Sequence, residues 1–334
     1  MTIRRRDILS AGGGALAGAA ALALPPRRAA AQTRWQMATP YPDGNFHTRN
    51  NREFAAEIER ATNGRLTVQV HSGASLLRMP EIKRGVQTGQ VQLGEILLAA
   101  YANEDPFFDA DSLPFLVTNF QEAKKLADLQ RPYIEARLQR QGLMLLYLVP
   151  WPAAGFYTHE PLTSLDQLRG TRFRTFSALT NRFAQLVGAN PTLVQQAELA
   201  QAFATGIVQA MVTSAQTGVD TAAWDYVKVF TPAGFSMTKN AMLLRRRDFE
   251  AQPAAVQQAI REAAARAETR GYRYAEEASN ATEQALAQHG MTIGTVSPEL
   301  RAQFQQVSRT IVDEWIARAG EDGRKLIEAY RRGA

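Results

Sequence analysis

Apolar side chains recur along this chain at two spacings, one of about two residues and one of about three and a half, and the two alternate. Arg34 to Thr39 reads as a first strand, followed by a loop at Pro40-Tyr41-Pro42-Asp43-Gly44. Asn45 to Thr62 has helical spacing through Phe46, Phe54, Ile58 and Ala61, and Asn63-Gly64 stops it. Leu66 to Val70 alternates as a strand, Glu81 to Thr88 predicts a short helix ended by Gly89, and Val91 to Leu98 predicts a buried strand. This β-α-β-α-β order predicts a mostly parallel sheet with crossover helices. A Pro-, Phe- and Asp-rich loop over Asp105 to Leu116 leads into a helix from Asn119 to Arg140 and a fully apolar strand, Leu143 to Val149.

The second half repeats the alternation. Pro150-Trp151-Pro152-Ala153-Ala154-Gly155 reads as a crossover into a second lobe, with strands near Thr171–Phe176, Thr192–Val194 and Val208–Thr213 and a helix over Leu179 to Val187. Lys239 to Arg245 is another strand. From Pro253 to Gly290 the only helix breaker is Gly271, so one helix of ~37 residues, spanning ~55 Å, is predicted. Alanine dominates where a coiled coil would place Leu or Ile. Ser297-Pro298-Glu299 starts a further helix to about Arg318, and Asp322 to Arg331 predicts a last one. At 334 residues the chain exceeds one comfortable core. The expected class is α/β, with two lobes.

Charge changes the picture only after one correction. The formal charge is +6, but Arg4, Arg5, Arg6, Arg27 and Arg28 against Asp7 place +4 of it in residues 1–31; the remainder holds 33 basic and 31 acidic residues. A net +2 gives no argument for nucleic acid or an acidic membrane as partner. The first segment reads as an export signal of the twin-arginine type: Arg5-Arg6-Asp7-Ile8-Leu9, a Gly/Ala-rich core from Ala11 to Leu24, and Ala29-Ala30-Ala31 for cleavage. It is too short for a membrane span, which needs ~20 apolar residues, and nothing later in the sequence supplies one. The expected location is the periplasm. The absence of cysteine removes disulfides, thiolate nucleophiles and thiolate metal ligands together.

No catalytic constellation stands out. His47, His71, His159 and His289 lack metal-ligand spacing, and there is no Gly-x-Ser-x-Gly elbow or Walker-type glycine loop. No metal or cofactor is implied. Arg174 is the residue that draws attention. It falls near the carboxyl end of a predicted strand, before a helix capped by Ser177, and ligands of open α/β sheets bind at such strand ends. A guanidinium there is a planar fork suited to a carboxylate; a surface ion pair is the other reading.

The stretch GTRFRTFSALTNRFAQLVGANPTLVQQAELAQAFATGIVQA resembles the core of the TRAP-transporter solute-binding proteins, the C4-dicarboxylate-binding type. It matches that pattern at Gly170, Arg172 and Arg174, at Gly188, Ala189 and Pro191, and at Glu198, Ala202, Phe203, Gly206, Ile207 and Val208. Thr62–Leu76, Glu81–Glu95 and Ser112–Leu116 fit as well, so the resemblance covers nearly the whole chain after the leader. It implies a periplasmic-binding-protein fold with two α/β lobes around a cleft and a long helix crossing both. Lobe I is expected over 32–153 and 239–280, and lobe II over 154–238 and 281–334. It also implies a receptor that captures a small organic acid and passes it to the small and large permease subunits of a TRAP transporter. A binding protein of an ATP-driven importer and an exported enzyme on the same scaffold are the rival readings.

The resemblance assigns Arg174 to the ligand's carboxylate. Where some relatives carry a second arginine this chain has Tyr157, which supplies no charge; this departure puts a dicarboxylate in doubt, and Tyr157 reads alternatively as a packing aromatic. Thr213, where many relatives have an asparagine, and Ser214 are further candidates, as are Thr175 and Ser177 after the arginine. Trp151 and Trp224 are candidate apolar walls, each also readable as core. On the lobe I side the candidates are Tyr41 and Asn45 after the first strand and Tyr101 after the third. Glu198 reads more simply as a helix-start residue. For the leader, replacing Arg5 and Arg6 together by lysine is expected to leave the precursor uncleaved in the cytoplasm; normal delivery of that variant on fractionation would contradict the twin-arginine route.

Overall fold

The computed structural model describes residues 32–332; the leader expected over residues 1–31 lies outside them. The chain builds two sheets. The first half forms β1 (Thr33–Ala38), α1 (Phe46–Ala61), β2 (Leu66–His71), α2 (Met79–Thr88), β3 (Leu93–Leu97), α3 (Phe120–Gln139) and β4 (Leu143–Pro150). Then come β5 (Ala154–Thr158), β6 (Arg172–Thr175), α4 (Ala178–Leu186), β7 (Asn190–Leu193), α5 (Leu199–Ala204), β8 (Ala210–Ser214), α6 (Ala215–Asp220) and β9 (Val229–Thr231). The chain continues through β10 (Lys239–Arg245), α7 (Arg246–Glu250), α8 (Ala254–Gln288), β11 (Thr292–Ile293) and α9 (Pro298–Arg331).

The first sheet has the order β2-β1-β3-β10-β4, the second β11-β9-β5-β8-β6-β7. As expected from the alternation, β1, β2 and β3 are parallel neighbours. The expectation of a mostly parallel sheet needs one correction: β10 is inserted antiparallel between β3 and β4. That strand returns from the second sheet, so no local crossover helix sets its direction. A second correction concerns Pro150 to Gly155. Only residues 151–153 cross between the sheets, and Ala154–Thr158 is a buried strand paired with both β8 and β9. Its length and Gly155 hid it in the sequence. A side chain at Gly155 would collide with the Thr231 carbonyl and the Phe230 ring, so close strand packing requires glycine there.

The two connections between sheets run side by side. The Trp151 N–H donates to the Thr238 carbonyl at 2.7 Å, the Ala154 N–H to the Ser236 carbonyl at 2.9 Å, and the Phe235 N–H to the Ala154 carbonyl at 2.8 Å. These hydrogen bonds satisfy the backbone of both connections where they leave one sheet for the other.

The long helix is present as one element of 35 residues, about 52 Å at 1.5 Å per residue. It packs on α1 and β4 of the first lobe and on α6 and β11 of the second. Its alanine-rich buried stripe (Ala259, Ala263, Ala264, Ala267, Ala275, Ala278) lets it lie close to both lobes. Gly271 is needed for that approach, since a Cβ there would stand 2.3 Å from Val149 Cγ2. The two final helices expected from the sequence are the two halves of α9, which the non-helical backbone of Gly320 (φ 66°, ψ −149°) separates. One apolar cluster runs through the first sheet and one face of the second; a smaller one, around Tyr157, Phe230 and Leu286, covers the other face.

Candidate ligand-binding site

A cleft of about 560 Å³ opens between the two sheets, a volume ordinary for a small-molecule site. Lobe I contributes Tyr41, Arg78, Met79 and Leu97, and lobe II Arg174, Phe176, Gln195, Gln196, Thr213, Ser214 and Thr217. Trp151, Pro152 and Thr238 of the paired connections form its floor. A ligand seated here would touch both lobes and the connections between them at once.

Arg174 is the side chain around which the cleft is arranged. It projects from β6 and is buried, with 3% of its surface exposed. Its Nε donates to the Val194 carbonyl at 2.9 Å, and the guanidinium lies over the Phe176 ring at 5.3 Å. These contacts fix the plane of the fork. Its Nη1 meets no hydrogen-bond partner and no carboxylate acts on the group among the described residues. Burial pulls the guanidinium down to about 10, opposed by the Tyr226 and Tyr41 hydroxyls, so it stays charged near neutral pH. A buried cation with an unpaired N–H is costly unless an anion meets it.

The other basic residue lining the cleft is already used. Arg78 Nη2 pairs with Glu198 Oε1 at 2.7 Å, linking the lobes at a solvent-exposed point, and the Arg78 backbone N–H donates to Glu81. Glu198, expected as a helix-start residue, makes no side-chain cap there and serves this cross-lobe pair. A second cross-lobe contact lies deeper: Asn45 Nδ2 donates to Asp220 Oδ2 at 2.6 Å, and Gln196 and Gln216 donate to the same carboxylate.

Beneath the lobe I wall lies a buried polar network. Glu95, 1% exposed, accepts from Thr39 and Asn51 on one oxygen and from Asn240 on the other, with His47 Nδ1 at 3.4 Å. Burial pushes the Glu95 carboxyl up, but the adjacent His47 imidazole and the Thr39 and Asn240 donors outweigh it and hold it below the usual range. Asn240 in turn accepts from the Tyr41 hydroxyl at 3.1 Å and the Trp151 indole at 2.9 Å. Two cleft-lining aromatics are thereby fixed from behind, with their rings edge-to-face at 5.0 Å.

Of the residues singled out in the sequence, Arg174, Thr213, Ser214, Trp151 and Tyr41 line this cleft. The rest do not line it. Tyr157 is fully buried on the far face of the second sheet, its hydroxyl donating to the Ser214 carbonyl at 3.0 Å; it is the packing aromatic of the alternative reading. Thr175 follows Arg174 on a strand and therefore points to the opposite face. Ser177 accepts from the Thr180 N–H as the cap of α4. Trp224 stacks on His289 at 3.8 Å, away from the cleft. Tyr101 donates to the Met79 carbonyl and ties down α2. Asn45 caps α1 and makes the cross-lobe contact to Asp220. Gln195, Gln196, Thr217, Arg78 and Thr238 were missed. The polar pair Gln195-Gln196 directly after a strand was the one signal available for them.

Two α/β lobes, a floor of paired connections and a cleft of apolar walls with a few polar groups define a solute-binding receptor. The chain belongs to the DctP family, the bacterial extracellular solute-binding proteins of family 7, whose model matches residues 37–319. It is similar to two Bordetella pertussis extracytoplasmic solute receptors whose crystal structures are described as binding pyroglutamic acid. DctP7 is 45% identical with a TM-score of 0.88, over 90% of this chain and 99% of that one. DctP6 is 40% identical with a TM-score of 0.88, over 90% and 100%. A marine metagenome TRAP solute-binding protein specific for pyroglutamate, from an unidentified microbe, is 31% identical with a TM-score of 0.89, over 90% and 99%. No helix among the described residues is long and apolar enough to cross a membrane.

Arg174→Ala is expected to weaken binding of a carboxylate-bearing solute by roughly 30-fold or more, the effect of leaving the partner charge unpaired. Arg174→Lys should be nearly as poor, because an ammonium keeps the charge but loses the fork. Tyr157→Phe should lower stability by about 0.5–1.5 kcal/mol and leave affinity close to wild type. Calorimetric titration of the three variants checks this; wild-type affinity in a folded Arg174→Ala protein would place the anion elsewhere.

Proposed function

We propose that this receptor captures a small monocarboxylate with a neutral polar body, pyroglutamate in the first instance. The observation that carries the reading is the buried Arg174 guanidinium with its unpaired Nη1. Arg78, the other basic residue of the lining, is held by Glu198 and stands beside Glu81. A second carboxylate would therefore meet no free cation among the lining residues and two acids instead. The receptors at 40–45% identity that are described with pyroglutamic acid support the same class.

The chemistry on offer is that of binding rather than turnover: one fixed charge, apolar aromatic walls and small polar groups. We place lobe I over 32–153 and 239–280 and lobe II over the remainder after the leader, with closure about the paired connections at 151–153 and 232–238. We further propose export by the twin-arginine route to the periplasm, and delivery of the ligand to the small and large permease subunits of a TRAP transporter.

Pyroglutamate in excess is expected to raise the melting temperature, since at about 100 times the dissociation constant linkage contributes ~2.7 kcal/mol. Succinate, of similar size with a second charge, should bind at least ~100-fold more weakly, the penalty of a desolvated unpaired carboxylate. Calorimetry with both ligands decides it. Succinate binding as tightly as pyroglutamate would overturn the monocarboxylate reading.

A further inference from the structure

The lobe I wall has a hydrogen-bond polarity that can be worked out atom by atom. An indole N–H only donates, so the Asn240 atom facing Trp151 at 2.9 Å must be its oxygen. An ionised carboxylate only accepts, so the Asn240 atom facing Glu95 Oε1 at 3.0 Å must be its NH2. Both ends of the amide independently demand the same orientation, which removes the usual ambiguity between its oxygen and nitrogen. The amide oxygen has two lone pairs. Trp151 takes one and the Tyr41 hydroxyl, at 3.1 Å, takes the other.

The hydroxyl hydrogen of Tyr41 is therefore committed to the protein. What Tyr41 Oη retains is its lone pairs, on a residue that lines the cleft across from Arg174. We propose that Tyr41 acts as a hydrogen-bond acceptor toward the ligand, so that the receptor selects carboxylates carrying an N–H or O–H donor on the lobe I side. This deepens the function proposed above and rests on it: Arg174 takes the anion, and Tyr41 requires a donor. The polarity is set at a distance by Glu95. Its second oxygen is held by Thr39 at 2.5 Å and Asn51 at 2.7 Å, and Asn51 is held in turn by the Tyr147 hydroxyl at 2.7 Å. For Tyr41 to donate to a ligand carbonyl instead, the Asn240 oxygen would lose a partner in a buried site, which is disfavoured.

The test compares pyroglutamate with its lactone analogue, 5-oxotetrahydrofuran-2-carboxylate, which keeps the ring, the carbonyl and the carboxylate but replaces the N–H by an oxygen. Wild type should prefer the lactam by about tenfold or more, because the lactone sets an acceptor against an acceptor. Tyr41→Phe should bind the lactam more weakly and bring the ratio close to one. Glu95→Gln removes an acceptor oxygen, frees Asn240 to turn over, and should narrow the ratio too. The ratio of two affinities does not depend on the fraction of folded protein, which a merely structural role would change. Equal binding of lactam and lactone by wild type would overturn the inference and leave the monocarboxylate receptor standing. A preference that persists in Tyr41→Phe would overturn Tyr41 as the acceptor. Binding of neither compound by wild type would overturn the pyroglutamate reading and this inference with it.

Discussion

A guanidinium carried into a protein interior loses its water and must be met by something else. At Arg174 the protein meets only part of that demand, through the Val194 carbonyl and the Phe176 ring. The rest of the site is arranged around this incomplete satisfaction. The β6 strand presents the fork at its carboxyl end, the Ser177-capped helix follows immediately, and lobe I closes the opposite side with Tyr41 and Met79. On the function proposed above, supplying the missing partner from the ligand would convert an internal cost into binding free energy. The neighbouring cleft cation, Arg78, is paired with Glu198, so the function proposed above asks for one carboxylate.

The same logic connects the site to motion. The cleft floor consists of the paired inter-sheet connections, and two side-chain contacts join the lobes, Arg78 to Glu198 near solvent and Asn45 to Asp220 in a more buried position. Exposed pairs contribute little, so the Arg78 contact biases closure weakly. On the closure proposed above, a ligand that touches Arg174, Tyr41 and Trp151 together would interact fully only with the closed form, which is the condition for shifting a two-state equilibrium. The long α8 packs against elements of both lobes and gives them a common support.

Much of the fold was legible because its signals are local. Gly64 and Gly89 stop α1 and α2 where the sequence places them, and the uninterrupted run from Pro253 reports the length of α8 directly. The resemblance implied that 239–280 returns to lobe I, but the antiparallel seat of β10 between β3 and β4 was not legible, since pairing direction depends on where the chain returns from. Strand β5 was missed because five residues with a glycine resemble a loop. In the site, Arg174 was readable from its place at a strand end. The neighbours of that residue along the chain were poorer guides: Thr175 is turned to the other face by the two-residue period of the strand, and Ser177 is occupied by its helix. Arg78 and Thr238 reach the cleft from separate elements, and nothing in their local sequence announces it. The Glu95–Asn240 relay joins residues 145 positions apart, a juxtaposition only the folded chain provides.

The central claim is that the Arg174 guanidinium is completed by the ligand. A crystal structure of the protein with pyroglutamate bound tests it directly. The account predicts a carboxylate oxygen about 2.7–2.9 Å from Arg174 Nη1, the separation of a charge-assisted hydrogen bond, with Nε still on the Val194 carbonyl. A carboxylate seated on Arg78 instead, with Arg174 Nη1 facing no anion, would contradict it.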